Sequence, residues 1–244
     1  MSLDGKDAAI SIAKNRLIVA LDVPSATQAR ELALQLLGIC RWVKVGLELY
    51  LAAGTPMVEE LAAQGFSVFL DLKFHDIPNT VAGAVRSAAS MGASLLTVHA
   101  AGGPAMLSAA AAAATATKNA PQLLAVTVLT SMDRTQLAAI GIEAAAADQA
   151  LRLGRMATAS GIQGLVCSAE EIRLLRQELG EGAQLVVPGI RPAGAAVGDQ
   201  KRIATPADAI RAGASQLVVG RPITQAADPA KAVQAILDEI ANQI

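Results

Sequence analysis

Eight short apolar runs rich in β-branched residues recur along the 244-residue chain, each followed by a stretch of helical character. They are Leu17–Asp22, Trp42–Gly46, Phe66–Lys73, Ser94–His99, Gln122–Leu129, Gly164–Ser168, Gln184–Pro188 and Gln216–Gly220. Strands that are apolar on both faces belong to a parallel sheet covered by helices. Eight βα units in a chain of this length predict an α/β protein, a closed (β/α)8 TIM barrel. An open doubly wound sheet is the competing architecture, but no GxGxxG follows the first run. No linker or shift in composition divides the chain, so residues 1–244 are expected to form a single domain. Residues 1–15 are expected to be an N-terminal extension packed outside the barrel.

Helix boundaries are also marked. Ser25, Thr55-Pro56, Pro78, Thr205-Pro206 and Asp228-Pro229 read as helix starts. Gly65, Gly92, Gly161, Gly182 and Gly213 read as helix exits.

Composition removes several classes of function. Charged residues are 17% of the chain, and 20 Lys+Arg nearly balance 21 Asp+Glu. Hydrophobic residues reach 53%, too many for a disordered chain. With no basic excess and only 2% aromatics, nucleic acid is not an expected partner. Much of the apolar content is alanine, and no window of about 20 residues is both apolar and free of charges and breakers, so no membrane span is expected. The N-terminus carries acids and lacks the apolar core of a signal peptide. Cys40 and Cys167 form neither a disulfide framework nor a zinc pattern, and a cytoplasmic location is expected.

Active sites of such barrels lie where the strands finish. Here the runs finish on Asp22, Lys44, Asp71 with Lys73, His99, Thr130 with Ser131, Ser168, Arg191 and Arg221. Side chains alternate faces along a strand. Ile18, Ala20 and Asp22 therefore share one face, as do Trp42, Lys44 and Gly46, and Phe69, Asp71 and Lys73. If these faces point inward, three adjacent strands aim Asp, Lys, Asp and Lys at one place. Lys44 stands inside WVKVG, where a central strand should be apolar, and a buried ammonium needs carboxylate partners. A structural ion pair or a snorkelling lysine is the bland alternative, and the DLKFHD run one strand away weighs against it.

The last two strand ends fit a phosphate. Pro188-Gly189-Ile190-Arg191 and Val219-Gly220-Arg221-Pro222 supply glycines for close backbone approach and guanidinium forks for a dianion. The Gly/Ala-rich segment 192–203 between them reads as a lid. No cluster has metal-ligand spacing, and Asp22 with Asp71 alone makes a poor metal site. Cys167 and Ser168 have no evident base to activate them. His99 reads as a core histidine, His75 has no assigned role, and Trp42 and Tyr50 read as core or interface residues.

These motifs together resemble the orotidine 5'-phosphate decarboxylase family. The residues that carry the resemblance are LDVP with Asp22, KVG with Lys44, DLKFHDIPNT (71–80), TVHA with His99, LTS (129–131), PGIR (188–191) and VVGRPI (218–223). They run in order over almost the whole chain, and the ten-residue DLKFHDIPNT segment is the most specific. The resemblance implies a homodimeric barrel enzyme, free of metal and cofactor, that converts orotidine 5'-monophosphate to UMP. It implies a catalytic array of Lys44, Asp71, Lys73 and Asp76, with Asp76 supplied by the neighbouring subunit and Lys73 as proton donor to C6. Asp22 and Thr80 match ribose contacts, and Thr130 or Ser131 matches the pyrimidine contact. Gln200, Gly220 and Arg221 match phosphate contacts with Arg191 nearby, and Ile77 and Pro188 complete the substrate-binding set.

Three other readings stand beside this one. A Mg2+-dependent phosphosugar decarboxylase or aldolase on the same scaffold is expected to place an acidic ligand where Lys44 stands. A Schiff-base aldolase would use a buried lysine. A non-catalytic nucleotide-binding barrel has no use for carboxylates buried beside an anionic ligand.

Overall fold

The computed structural model describes residues 3–192 and 204–244. Eight parallel strands close into a barrel in sequence order. They are β1 (Leu17–Ala20), β2 (Trp42–Gly46), β3 (Ser67–Phe74), β4 (Ala93–His99), β5 (Gln122–Val126), β6 (Gly164–Val166), β7 (Gln184–Val187) and β8 (Gln216–Val219). Every apolar run of the sequence forms a strand. Five strands (β1, β5, β6, β7 and β8) stop before their run does. The residues left over turn out of the sheet and carry polar groups into the loops at its C-terminal rim.

The helices are α1 (Leu3–Arg16), α2 (Ala26–Leu36), α3 (Leu47–Ala63), α4 (Pro78–Ser90), α5 (Gly103–Ala116) and α6 (Arg134–Ala139). They continue with α7 (Ala146–Ala159), α8 (Ile172–Leu179), α9 (Pro206–Ala212), α10 (Arg221–Thr224) and α11 (Pro229–Ala241). The first of them, α1, precedes the barrel and packs chiefly on α11. Among the described residues, no helix is long and apolar enough to cross a membrane.

Local chemistry sets the helix ends. Ser25, Thr205 and Asp228 each accept a backbone N–H of the first turn, satisfying a donor that has no intrahelical partner. Pro78, Pro206 and Pro229 occupy first-turn positions, where a missing N–H costs nothing. One boundary differs from those read in the sequence. Within α3 two helical segments meet at a break at Gly54 (φ 66°, ψ −165°), and Thr55-Pro56 opens the second of them, as the sequence suggests. Gly182 is not an exit: the chain leaves α8 at Gly180, whose φ of 74° favours a residue without Cβ.

Side-chain alternation divides the apolar residues into two layers. Leu17, Val19, Val43, Val45, Leu70 and Leu96 face outward and join the large cluster under the helices. Ile18, Ala20, Phe69, Leu95, Leu124, Val186 and Val218 face inward and fill the barrel. Each large side chain in this plug contributes about 1.5–3 kcal/mol by leaving water. Phe69 is the bulkiest of them, and Phe69→Ala would cost roughly 3–5 kcal/mol.

The β3–β4 pairing carries the main irregularity. Leu70 pairs with Leu96 and Phe74 with Val98, so Asp71, Leu72 and Lys73 stand against the single residue Thr97. This bulge lies at the end of the barrel where the charged residues gather, a common place for a bulge to re-aim side chains.

Candidate active site

A cavity of about 500 Å³ opens at the C-terminal ends of the strands. Its floor is the top of the apolar plug: Ala20, Phe69, Val126, Val166 and Val218. One wall is formed by Asp22, Lys44, Asp71 and Lys73, and the facing wall by Pro188, Gly189, Arg191, Gly220 and Arg221.

Sheet register brings the charged wall together. Ala20, Lys44 and Phe69 are paired across β1, β2 and β3, so Lys44 rises from the upper layer of the plug. Lys44 is 7% exposed. Its Nζ donates to Asp22 Oδ1 at 2.8 Å and lies 3.4 Å from Asp71 Oδ2. The other oxygen, Asp71 Oδ1, accepts from Lys73 Nζ at 2.9 Å and from the Thr97 hydroxyl at 3.0 Å. The order in space is Asp22, Lys44, Asp71, Lys73, alternating in sign.

This alternation decides the protonation states. Burial alone would lower the Lys44 pKa, but the carboxylates of Asp71 and Asp22 outweigh it, and the net shift is upward. Burial alone would raise the Asp71 pKa, but Lys44, Lys73 and the Thr97 hydroxyl outweigh it, and the net shift is downward. Lys44 and Asp71 therefore stay charged although both are largely withdrawn from water.

Two backbone features make room for the array. A Cβ on Gly46 would fall 2.8 Å from Asp22 Oδ1 and 2.9 Å from Lys44 Nζ, closer than real Cβ contacts come. Lys73 has φ 51°, a left-handed conformation that costs an L-residue about 1–2 kcal/mol. Its backbone N–H donates to Thr97 Oγ1 at 2.9 Å.

On the facing wall, Arg191 is 7% exposed and its guanidinium donates to the Ile190 carbonyl at 2.9 Å. Its backbone N–H donates to Ala204 O at 3.0 Å, tying the two sides of segment 192–203 together at their base. Gly220 lies against β1, with its Cβ position 3.5 Å from Ala20 Cβ, and Arg221 follows at the start of α10.

The cavity brings together Asp22, Lys44, Asp71, Lys73, Thr130, Pro188, Arg191, Gly220 and Arg221 from the residues singled out in the sequence. Of the pair Thr130 and Ser131, Thr130 lines it, and Ser131 is exposed and does not. Asp76, Ile77 and Thr80 do not line this chain's cavity; they are exposed on the loop after β3 and the first turn of α4. Asp76 Oδ1 accepts from the Ile77 N–H at 2.6 Å. Gln200 lies outside the described residues, as does the rest of 193–203, the stretch read in the sequence as a lid. His99 is half-buried, with its ring centroid 5.4 Å from that of His75. Burial lowers its pKa, and the nearby charges of His75 and Lys73 lower it further.

Sequence reading missed Thr97, Glu48 and Gln225. Thr97 contacts the array from beneath, and the other two line the cavity, as does Cys167, which the sequence reading had set aside as a nucleophile. Thr97 could have been noticed as a polar side chain on the inward face of a strand. Among the described residues, no group of three or more His, Cys, Asp or Glu is arranged to hold a metal ion.

Comparison with known proteins agrees over nearly the full length. The model of the "Orotidine 5'-phosphate decarboxylase / HUMPS family" matches residues 15–236. A protein of Halorhodospira halophila named orotidine 5'-phosphate decarboxylase is 55% identical over 93% of this chain and 96% of its own length. A protein of the same name from Idiomarina loihiensis is 52% identical over 92% of this chain and 97% of its own length. The crystal structure of orotidine 5'-phosphate decarboxylase from Lactobacillus acidophilus superposes with a TM-score of 0.83 at 40% identity, covering 93% of this chain and 99% of that one. A match that runs from the end of α1 into α11 takes in every strand and the whole charged wall, so this chain belongs to the orotidine 5'-phosphate decarboxylase / HUMPS family.

Proposed function

We infer that this chain decarboxylates orotidine 5'-monophosphate to UMP and CO2. The observation that carries this reading is the Lys44–Asp71–Lys73 array, sited across one cavity from Arg191 and Arg221. The two arginines suit a phosphate dianion. The reacting carbon is then directed to the opposite wall, onto Asp71 and Lys73.

The reaction breaks the bond between C6 of the pyrimidine and its carboxylate. CO2 leaves, the electron pair stays on C6, and a proton must replace the lost group. The pair at C6 is not delocalised into a carbonyl, so fixed charges must stabilise it. The Lys73 ammonium faces that developing charge and donates its proton to C6; the resulting amine regains a proton from water. Asp71, held ionised between two lysines, stands beside the substrate carboxylate. Two such charges about 4 Å apart at an effective dielectric near 20 repel by roughly 4 kcal/mol. Relief of that repulsion as CO2 departs is worth about three powers of ten in rate. Lys44 keeps Asp71 ionised and is itself held by Asp22, which offers its exposed side to the ribose. Thr130 faces the pyrimidine, and Pro188, Gly220 and Gln200 complete the contacts to the nucleotide. No step needs a metal or a cofactor.

The enzyme acts in the cytoplasm as a homodimer with shared sites. Support comes from the continuous exposed strip His75–Thr80, which holds Asp76, Ile77 and Thr80 outside this chain's own cavity. In the dimer that strip reaches the neighbour's cavity, where Asp76 completes the Lys-Asp-Lys-Asp array. Residues 1–244 act as one catalytic domain, with the segment 1–15 on its outside.

The test is the loss of orotidine 5'-monophosphate absorbance with purified protein, with and without EDTA. Turnover unaffected by EDTA is expected. Activity abolished by the chelator would instead support a metal-dependent relative, and tight UMP binding without turnover would support a non-catalytic barrel.

A further inference from the structure

Thr97 is fully buried in β4 and does not line the cavity, yet its hydroxyl joins both reacting residues. It accepts from the Lys73 backbone N–H at 2.9 Å and donates to Asp71 Oδ1 at 3.0 Å. A hydroxyl carries one hydrogen and two lone pairs, so both bonds coexist. Asp71 Oδ1 also accepts from Lys73 Nζ at 2.9 Å. The result is a closed loop: Lys73 amide, Thr97 hydroxyl, Asp71 carboxylate, Lys73 ammonium. Both ends of the lysine are thereby tied to one point.

The bulge explains why a side chain is needed there. Three residues of β3 face one of β4, which interrupts the backbone ladder. The Thr97 side chain supplies the acceptor for the Lys73 N–H. A non-glycine residue at φ 51° persists only where its surroundings over-determine it.

We infer that Thr97 is a positioning residue for the decarboxylation, its hydroxyl fixing the left-handed turn at Lys73 and the orientation of the Asp71 carboxylate. This rests on the decarboxylase reading given above. The essential element is the hydroxyl and not the shape of the side chain. Valine matches threonine in shape and branching but makes neither bond, whereas serine makes both and lacks the methyl.

The experiment compares Thr97→Val and Thr97→Ser for kcat, KM and UMP affinity. Thr97→Val is expected to lose roughly ten- to hundredfold in kcat, the value of a hydrogen bond to a charged group, with KM and UMP affinity little changed. Thr97→Ser is expected to keep most of kcat. A packing role predicts the reverse order, with valine active and serine impaired, and that result would overturn the inference. So would an equal loss of kcat in both variants. Should Thr97→Val not fold, Thr97→Cys, with its much weaker hydrogen-bonding group, takes its place; kcat matching that of Thr97→Ser would then overturn the inference. Absence of turnover in the unsubstituted protein would defeat the decarboxylase reading itself, whereas full turnover with valine would defeat only the role of Thr97.

Discussion

Lys44 Nζ lies 2.9 Å from the point that a Cβ on Gly46 would occupy. The two residues share the inward face of β2, and the same point is 2.8 Å from Asp22 Oδ1. Gly46 has φ −92° and ψ −177°, which alanine adopts without strain, so the demand for glycine is steric. Gly46→Ala is expected to leave the fold intact and push the Asp22–Lys44 pair aside. Displacing a positioned group by about 1 Å costs about 100-fold in rate. Steady-state kinetics beside a thermal melt checks this: wild-type kcat in a folded variant would show that the pair need not sit where it does.

Lys73→Ala removes the proposed proton donor and one of the two cations that hold Asp71 ionised. Loss of a general acid alone costs about 10²–10⁴-fold, so turnover should fall below that range or vanish. UMP binding, measured calorimetrically, should largely survive because the proposed phosphate wall is untouched. Substantial residual turnover would refute the role given to Lys73.

Arg221→Ala should act at the other wall. Losing one charge-assisted contact to phosphate is expected to weaken use of orotidine 5'-monophosphate roughly ten- to hundredfold in kcat/KM. Turnover of orotidine, which has no phosphate, should not change. Equal losses with both substrates would place Arg221 outside the phosphate site.

The pKa shifts of Asp71 and Lys44 set two limits on stability. Asp71 titrates below an ordinary aspartate, so its contribution is complete above the unfolded value of about 3.9 and is lost as pH falls through the folded value. Lys44 titrates above an ordinary lysine, so its contribution is complete below about 10.4 and is lost as pH rises through the folded value. Urea unfolding at a series of pH values should show this pair contributing a constant amount between the two limits. Asp71→Asn should lower stability by about 2 kcal/mol in that window, less than a fully enclosed pair costs because water reaches the cavity. It should also weaken the acid-side dependence; an unchanged pH profile would remove Asp71 as its source.

The proposed sharing of sites is tested by mixing two variants. Lys73→Ala and Asp76→Ala proteins should each be nearly inactive. Unfolded together and refolded, a quarter of the possible sites in a random mixture combine both wild-type residues, and activity should reappear in about that proportion. No recovery would mean that Asp76 does not act across an interface.

How far the residues announce themselves depends on what each must do. The strands were legible because both faces are buried, which forces unbroken runs such as LIVA and WVKVG. Lys44 stood out because a charge in such a run demands partners, and Asp22 and Asp71 were near enough in the pattern to be named. Thr97 passed unnoticed because a β-branched residue is ordinary in a strand; only the bulge, a property of pairing and not of composition, gives its hydroxyl a task. The start at Thr55-Pro56 was legible from its capping residue and proline, whereas the first segment of α3, from Leu47 to the break at Gly54, follows β2 without such signals. Asp76, Ile77 and Thr80 belong to a motif that reads clearly, yet a single chain leaves them facing outward.

Beneath the charges, Ile18, Phe69, Leu95, Leu124, Val186 and Val218 close the barrel with side chains that polarise little. Solvent can shield the array only from the rim, so the potential of Lys44, Asp71 and Lys73 escapes mainly in one direction. The barrel thus works as a one-ended well: an anion drifting across its mouth meets a field shaped by the protein and only partly damped by salt.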